Sequence, residues 1–289
     1  MRDGLKAAAA GAYAALGGLR RLHAGKLVVL TFHRVRPDGE AAADRPMRNL
    51  ETDASDFRRL LDWMRARYEP VDLSDWAAAD RPPARPSFAV TFDDGWADNF
   101  DVALPVLREL GVPATVFLST GAVEERRPFW WQAPGLSDAE IERRKRENPA
   151  ECEGLGERGD PRAEDFLTWE QVRAMGAGGL VRFGPHGHRH MLLDAVPRET
   201  ALADIRSCRD LLRTRIPDLC APVLAWPNGN VRRDLDADLA AMGLVAAVGT
   251  GRGAVATPAE ARWNLPRNNI DRRLSQRPAL WPWLLMRAR

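Results

Sequence analysis

Short apolar runs recur along the chain, separated by stretches in which apolar residues return every three or four positions. The runs at 27–32, 87–92, 114–118, 180–183, 222–226, 244–248 and 262–265 read as strands. The helical period appears at 53–67, with Phe57, Leu60, Leu61 and Met64 on one face, and at 198–214, with Leu202, Ile205, Cys208 and Leu212. Further helices are predicted over 101–110, closed by Gly111, and from Thr168, where Gln171 completes a capping box. At the N-terminus Leu5, Ala9, Ala12, Leu16 and Leu19 share one face of another. Strands alternating with helices are the pattern of βα units around a parallel sheet. Seven of them predict a closed or nearly closed barrel, with an open doubly wound sheet as the alternative. No Gly-rich dinucleotide or phosphate loop follows any strand. Residues 122–165 break the rhythm and read as an insertion after the third strand, carrying Phe129-Trp130-Trp131 and a charged run at 143–147.

Length and composition fit one large globular domain: 289 residues, 45% apolar. A net charge of +2 gives no case for nucleic-acid binding. The charge is uneven, however. Residues 1–36 and 262–289 each carry seven Lys/Arg against one acid, so each end is +6 and the middle −10. Such ends suit peripheral contact with a membrane surface or an anionic glycan; the plainer reading is that Arg is abundant, at 39 against 3 Lys. The run 280–286, with Trp281, Trp283 and the following Arg287 and Arg289, has the makeup of an interfacial segment, or else caps the barrel. The apolar stretch 7–19 is too short to span a bilayer. Three cysteines without regular spacing argue against a disulfide framework and fit a reducing compartment, so a cytoplasmic protein, associated with the inner face of the membrane, is expected. The expected organisation is a basic amphipathic helix at 1–26, a main domain at 27–270 and a basic, Trp-containing tail at 271–289.

In parallel barrels the reactive side chains sit at the C-terminal ends of strands. Those positions hold His33, Asp93-Asp94-Gly95, His186-Gly187-His188-Arg189-His190, Trp226-Pro227-Asn228-Gly229 and Arg267, with four of the chain's five histidines among them. An Asp and two His offer three ligands for a divalent ion, with positions left open for water and substrate. Of two adjacent carboxylates, one can ligate while the other takes a proton. Each element has a bland reading on its own: Asp-Asp-Gly as a turn and cap, and a strand-end His as a structural hydrogen-bonding residue. His188 is expected to face solvent or to stand behind the ligands.

Thr91-Phe92-Asp93-Asp94-Gly95, His186-x-x-x-His190 and Trp226-Pro227-x-Gly229 resemble the ordered motifs of the polysaccharide deacetylase (NodB homology) family. Leu30-Thr31-Phe32-His33-Arg34-Val35, Leu104-Pro105-Val106-Leu107, Pro113-Ala114-Thr115-Val116-Phe117-Leu118 and Leu265-Pro266-Arg267 resemble its flanks, so the likeness runs from about 27 to 270. It implies an α/β fold, a distorted (β/α)7 barrel, and a divalent metal: zinc first, with cobalt, nickel or manganese as substitutes. It also implies removal of N-acetyl groups from N-acetylhexosamine units of a glycan. By the same resemblance Asp93 matches the catalytic base, Asp94, His186 and His190 the metal ligands, and the Asn228 amide the oxyanion donor; Trp226 and Pro227 fall in a substrate-binding motif. Trp130 and Trp131 are expected to expose a sugar platform.

Three positions depart from the family pattern. Gly187 replaces the usual Ser/Thr, Ala225 stands where an Arg would partner the base, and no His follows His190. Arg267 is then the candidate partner of the base, and His33 either the proton donor or a structural residue. Hydrolysis of another C–N bond, in a cyclic amide or ureide, and a non-catalytic glycan-binding module are the rival readings.

Overall fold

A computed structural model describes residues 2–40, 47–152, 154–157 and 165–288. Its strands are β1 Leu27–Phe32, β2 Arg34–Arg36, β3 Glu51–Asp53, β4 Glu69–Pro70, β5 Ser87–Phe92, β6 Ala114–Leu118, β7 Val181–Pro185, β8 Val223–Ala225, β9 Ala246–Val248 and β10 Asn268–Asn269. The helices are α1 Arg2–Ala15, α2 Gly18–Leu22, α3 Ala54–Arg65, α4 Leu73–Ala79, α5 Leu104–Leu110, α6 Thr120–Glu125, α7 Asp138–Glu147, α8 Trp169–Gly176, α9 Arg198–Arg215, α10 Asp236–Ala241, α11 Arg272–Ser275 and α12 Trp281–Met286.

The strands β10-β1-β5-β6-β7 form one parallel sheet, with β4 also paired to β5. β1 and β5 pair in full register from Leu27↔Ser87 to Phe32↔Phe92, so the two strands end level and His33 and Asp93 leave the sheet side by side. β8 and β9 form a separate parallel pair. Single parallel bridges, Phe183↔Cys220 and Val248↔Leu265, continue the curve without a ladder that closes it. This is the expected α/β arrangement of a distorted (β/α)7 barrel. β1, β5 and β6 are buried at every position because helices cover one face and the barrel interior fills the other.

The apolar stripes predicted for the helices are the ones buried. Phe57, Leu60, Leu61 and Met64 of α3 and Leu202, Ile205, Cys208 and Leu212 of α9 all face the core. Gly111 ends α5 at φ 61, and the Thr168–Gln171 capping box opens α8. The seventh strand was expected at 262–265. There a turn closed by Asn264 N–H on the Ala261 carbonyl interrupts the backbone, and pairing with β9 is reduced to the Ala247 N–H on the Arg262 carbonyl and a single bridge at Leu265, before Pro266 removes a donor.

Both termini depart from the sequence reading. Gly17, at φ 74, breaks the first helix, and Leu16 points outward at 77% exposure while Ala10 is the buried position; the Leu5 side chain lies outside the described residues. The small face of α1 packs against α12. Residues 271–288 are not a separate tail. Trp281, Leu284 and Leu285 belong to the main core, and the Trp281 indole N–H donates to the Leu274 carbonyl at 3.0 Å. Those apolar side chains are buried in the fold, so they are not available as an interfacial membrane anchor. His23 joins the ends, one ring nitrogen 2.9 Å from the Tyr68 hydroxyl and the other 2.7 Å from the Ala288 carbonyl. No helix among the described residues is long and apolar enough to cross a membrane.

Candidate active site

The chain turns sharply where β5 ends. Asp94 and Gly95 both take positive φ (78 and 89), which swings the two carboxylates into different surroundings. Gly95 is required there: a Cβ would lie 2.7 Å from Leu118 Cδ2. His190 (φ 55) and Asn228 (φ 56) adopt the same uncommon conformation. A non-glycine residue held there costs on the order of 1 kcal/mol or more, so surrounding contacts must over-determine these loops.

One such contact explains Gly187. Asp204, a buried acid on the otherwise apolar face of α9, accepts the backbone N–H groups of His188 and Arg189, each at 2.9 Å. A side chain at 187 would put Cβ 2.7 Å from that same carboxylate. The Ser/Thr of the family pattern is excluded because Asp204 takes its space while fixing the loop that carries both histidines.

Asp94, His186 and His190 converge. His186 Nε2 and His190 Nε2 lie 3.5 and 3.3 Å from Asp94 Oδ1, and all three residues are buried. His186 Nδ1 faces the Ala225 carbonyl at 2.9 Å, which directs its other nitrogen to the centre of the cluster. The Trp96 indole N–H donates to Asp94 Oδ2 at 2.9 Å and leaves Oδ1, a buried atom without a hydrogen bond, facing the two imidazoles. An unsatisfied carboxylate oxygen opposed by two ring nitrogens is what a divalent cation would complete, so the residues fit a metal.

Asp93 is held differently. Arg267, fully buried, donates to both its oxygens, Nη1 to Oδ1 at 2.6 Å and Nη2 to Oδ2 at 2.7 Å, while its Nε donates to the Gly249 carbonyl at 2.7 Å. Burial alone would push Asp93 up, but Arg267 and His186 more than offset it and hold the carboxyl below its usual range. Burial opposes ionisation of Asp94 too, and the facing His186 and His190 imidazoles carry it well below. The histidines diverge. Burial lowers His186, yet it faces both aspartates and ends up raised; burial prevails at His190, which is lowered. Burial also lowers His33, against the pull of Asp94 and Asp93.

These residues stand at the floor and walls of a cavity of about 610 Å³. His33, Asp93, Asp94, His186, His190, Asn228 and Trp131 line it, whereas Arg267 lies behind Asp93. Two expectations need correction. Trp226 is fully buried, with its N–H on the Trp263 carbonyl at 2.8 Å, and neither it nor Pro227 lines the cavity. The Trp130–Trp131 platform is not exposed either. Trp131 is 8% exposed and wedged against Phe129 and the His190 ring, and Trp130 sits behind it. Trp131 packs on the loop that carries His190. His188 meets Thr120 Oγ1 at 3.0 Å and Glu125 at 3.4 Å, away from the cluster.

Sequence reasoning missed Trp96, Asp204 and Lys145. Trp96 adjoins the Asp-Asp-Gly turn, and Asp204 is an acid at a core position of a clear apolar stripe, a signal that could have found it. Lys145 belonged to the charged run of the insertion, to which no site role was given. In the fold, α7 lies over the mouth and the ammonium donates to Asn228 Oδ1 at 3.0 Å.

A sequence profile described as polysaccharide deacetylase matches residues 80–247. Over 97 residues the chain is 28% identical to YxkH of Bacillus subtilis (strain 168), a polysaccharide deacetylase by provisional name; the match spans 32% of this chain and 32% of that protein, about a third of its length. The Streptococcus pyogenes deacetylase PplD, solved in complex with acetate, is similar at a TM-score of 0.65 and 19% identity, over 91% of this chain and 97% of that one. IcaB from Ammonifex degensii is similar at 0.63 and 22%, over 89% and 97%. At these identities the structural likeness establishes the shared fold.

Proposed function

The chain belongs to the polysaccharide deacetylase family, and on that premise we propose that it is a metal-dependent hydrolase that removes N-acetyl groups from N-acetylhexosamine units of a polysaccharide or glycan. One observation carries the reading. Two adjacent carboxylates in one cavity are set up for different tasks, Asp94 by two imidazoles and a vacant lone pair, Asp93 by a bidentate arginine.

A divalent ion held by Asp94, His186 and His190, zinc by the nitrogen-rich donor set and cobalt, nickel or manganese as substitutes, would supply Lewis acidity at the acetamide carbonyl and the attacking water. Asp93 accepts that water's proton at a carboxylate oxygen. Each of its oxygens receives one bond from Arg267 and keeps a lone pair, so the base is oriented without being blocked. The Asn228 N–H, aimed by the Pro227 turn, donates to the carbonyl oxygen as it gains charge. His33 faces the same cavity and is the group able to hand a proton to the departing nitrogen. Burial lowers its proton affinity, which favours handing the proton on.

The test is acetate release from acetylated oligosaccharides by Asp93→Asn, which keeps the side chain's shape but cannot take the proton. Turnover should fall at least about a hundredfold, the usual weight of a general base, with about one ion per chain retained. Near-normal turnover would defeat the mechanism, and loss of the ion would reverse the two aspartates. Release of a ring-opened product from a cyclic amide, with no acetate from any glycan, would favour the rival C–N hydrolase.

A further inference from the structure

One acidic group in the cavity has no task in this scheme. Glu51 opens β3, in parallel register with Arg34 of β2, the residue after His33. It is 4% exposed and lines the cavity wall. The other charged groups of that lining are engaged. Arg34 donates to Asp98 at 2.7 Å and to Asp165 at 3.3 Å. Lys145 lies 3.2 Å from Glu142 and 3.0 Å from Asn228 Oδ1. Asp93 is held by Arg267 and Asp94 faces the two imidazoles. Among the described residues no hydrogen bond or ion pair reaches the Glu51 carboxylate, and its oxygens are not sealed from the cavity.

A glycan entering the cavity displaces the water around this carboxylate, and a buried carboxylate without a counter-charge is strongly disfavoured. Sugar hydroxyls would return hydrogen bonds but not the missing charge. In an amino-sugar polymer the group that returns both is the ammonium of a unit whose acetyl is already gone. We propose that Glu51 forms a subsite for the ammonium group of a deacetylated hexosamine close to the reacting N-acetyl unit, so that the preferred substrate is a partly deacetylated chain. This rests on the deacetylase reading above and specifies its substrate. Each cleavage creates the cation that the subsite holds, so acetate release from one chain should accelerate after the first event.

Two measurements test it, using the metal-loaded full chain. The first is binding of a fully deacetylated amino-sugar oligomer, followed by calorimetry at low salt. The wild type should bind it at least tenfold more tightly than Glu51→Gln, with metal content equal in both and Glu51→Asp restoring part of the difference. Equal binding overturns the subsite whatever the catalytic activity. The second is acetate release from matched oligomers, fully acetylated or carrying one free amine. The wild type should favour the second by about tenfold in kcat/KM, and Glu51→Gln should bring the two within about twofold. Release without that preference, or a preference that survives in Glu51→Gln, overturns the subsite and leaves the deacetylase reading standing. Selective binding with no acetate from either oligomer overturns the deacetylase reading instead.

Discussion

Two buried histidine clusters lie in this fold and are built on opposite terms. Where the chain ends meet, His23 bonds through both ring nitrogens to Tyr68 and Ala288, and Trp281 bonds through its indole to Leu274. At the cavity floor Asp94 Oδ1 and His190 Nδ1 are buried without hydrogen-bond partners among the described residues, and three of the six described non-glycine residues at positive φ are Asp94, His190 and Asn228. The first cluster satisfies its polar atoms and stabilises the fold. The second leaves polar atoms open and the backbone strained, a state that persists only where the surroundings enforce it and a ligand completes it. Telling the two kinds apart therefore depends on counting partners as well as burial.

The contrast predicts different failures. Asp94→Ala or His186→Ala should take bound divalent ion from about one per chain to none, and acetate release with it, while the thermal transition of the ion-free protein stays within a few degrees of the ion-free wild type. Full ion occupancy in both variants would place the ligands elsewhere.

Arg267→Met should damage both function and fold. It strands Asp93 as a buried charge, a loss of about 3–5 kcal/mol for a broken buried pair, and it takes away the orientation of the base. Thermal unfolding should drop well below that of Asp93→Asn, and the double variant should recover part of the stability, because no unpaired charge remains. A double variant as unstable as the sum of the singles would show that Arg267 acts through its Gly249 contact rather than through Asp93.

At the terminal cluster the effects should be smaller and confined to stability. Burial holds His23 below its ordinary 6.5. The unfolded chain therefore takes up a proton more readily than the folded one, and this group's contribution to stability is present above about pH 6.5 and lost as pH falls towards the lowered folded value. His23→Gln should cost about 1–2 kcal/mol at pH 8 through poorer hydrogen bonding and should narrow the gap in melting temperature between pH 8 and pH 5.5. Turnover at pH 8 should not change. An unaltered gap would mean that other groups carry the acid sensitivity.

The chain's one-dimensional pattern determined the strands β1, β5 and β6 to the residue, the buried stripes of α3 and α9, the Gly111 end of α5 and the Thr168–Gln171 cap of α8, because burial on a fixed period leaves its mark on every position of an element. It also determined which side chains stand at strand ends, and so the candidate set His33, Asp93, Asp94, His186, His190, Asn228 and Arg267. The tertiary structure decided what these do to one another. Arg267 reaches Asp93 across 174 positions of sequence, Asp204 excludes a side chain at 187, and Glu51 is left without a counter-charge among the described residues. It also decided that Trp226 and Trp281 are packing residues, since an indole has the same composition on a sugar platform as in a core. Periodicity records which way a residue faces relative to its own element. Charge compensation, strain and the last hydrogen bond depend on distances between elements, which only the closed fold sets.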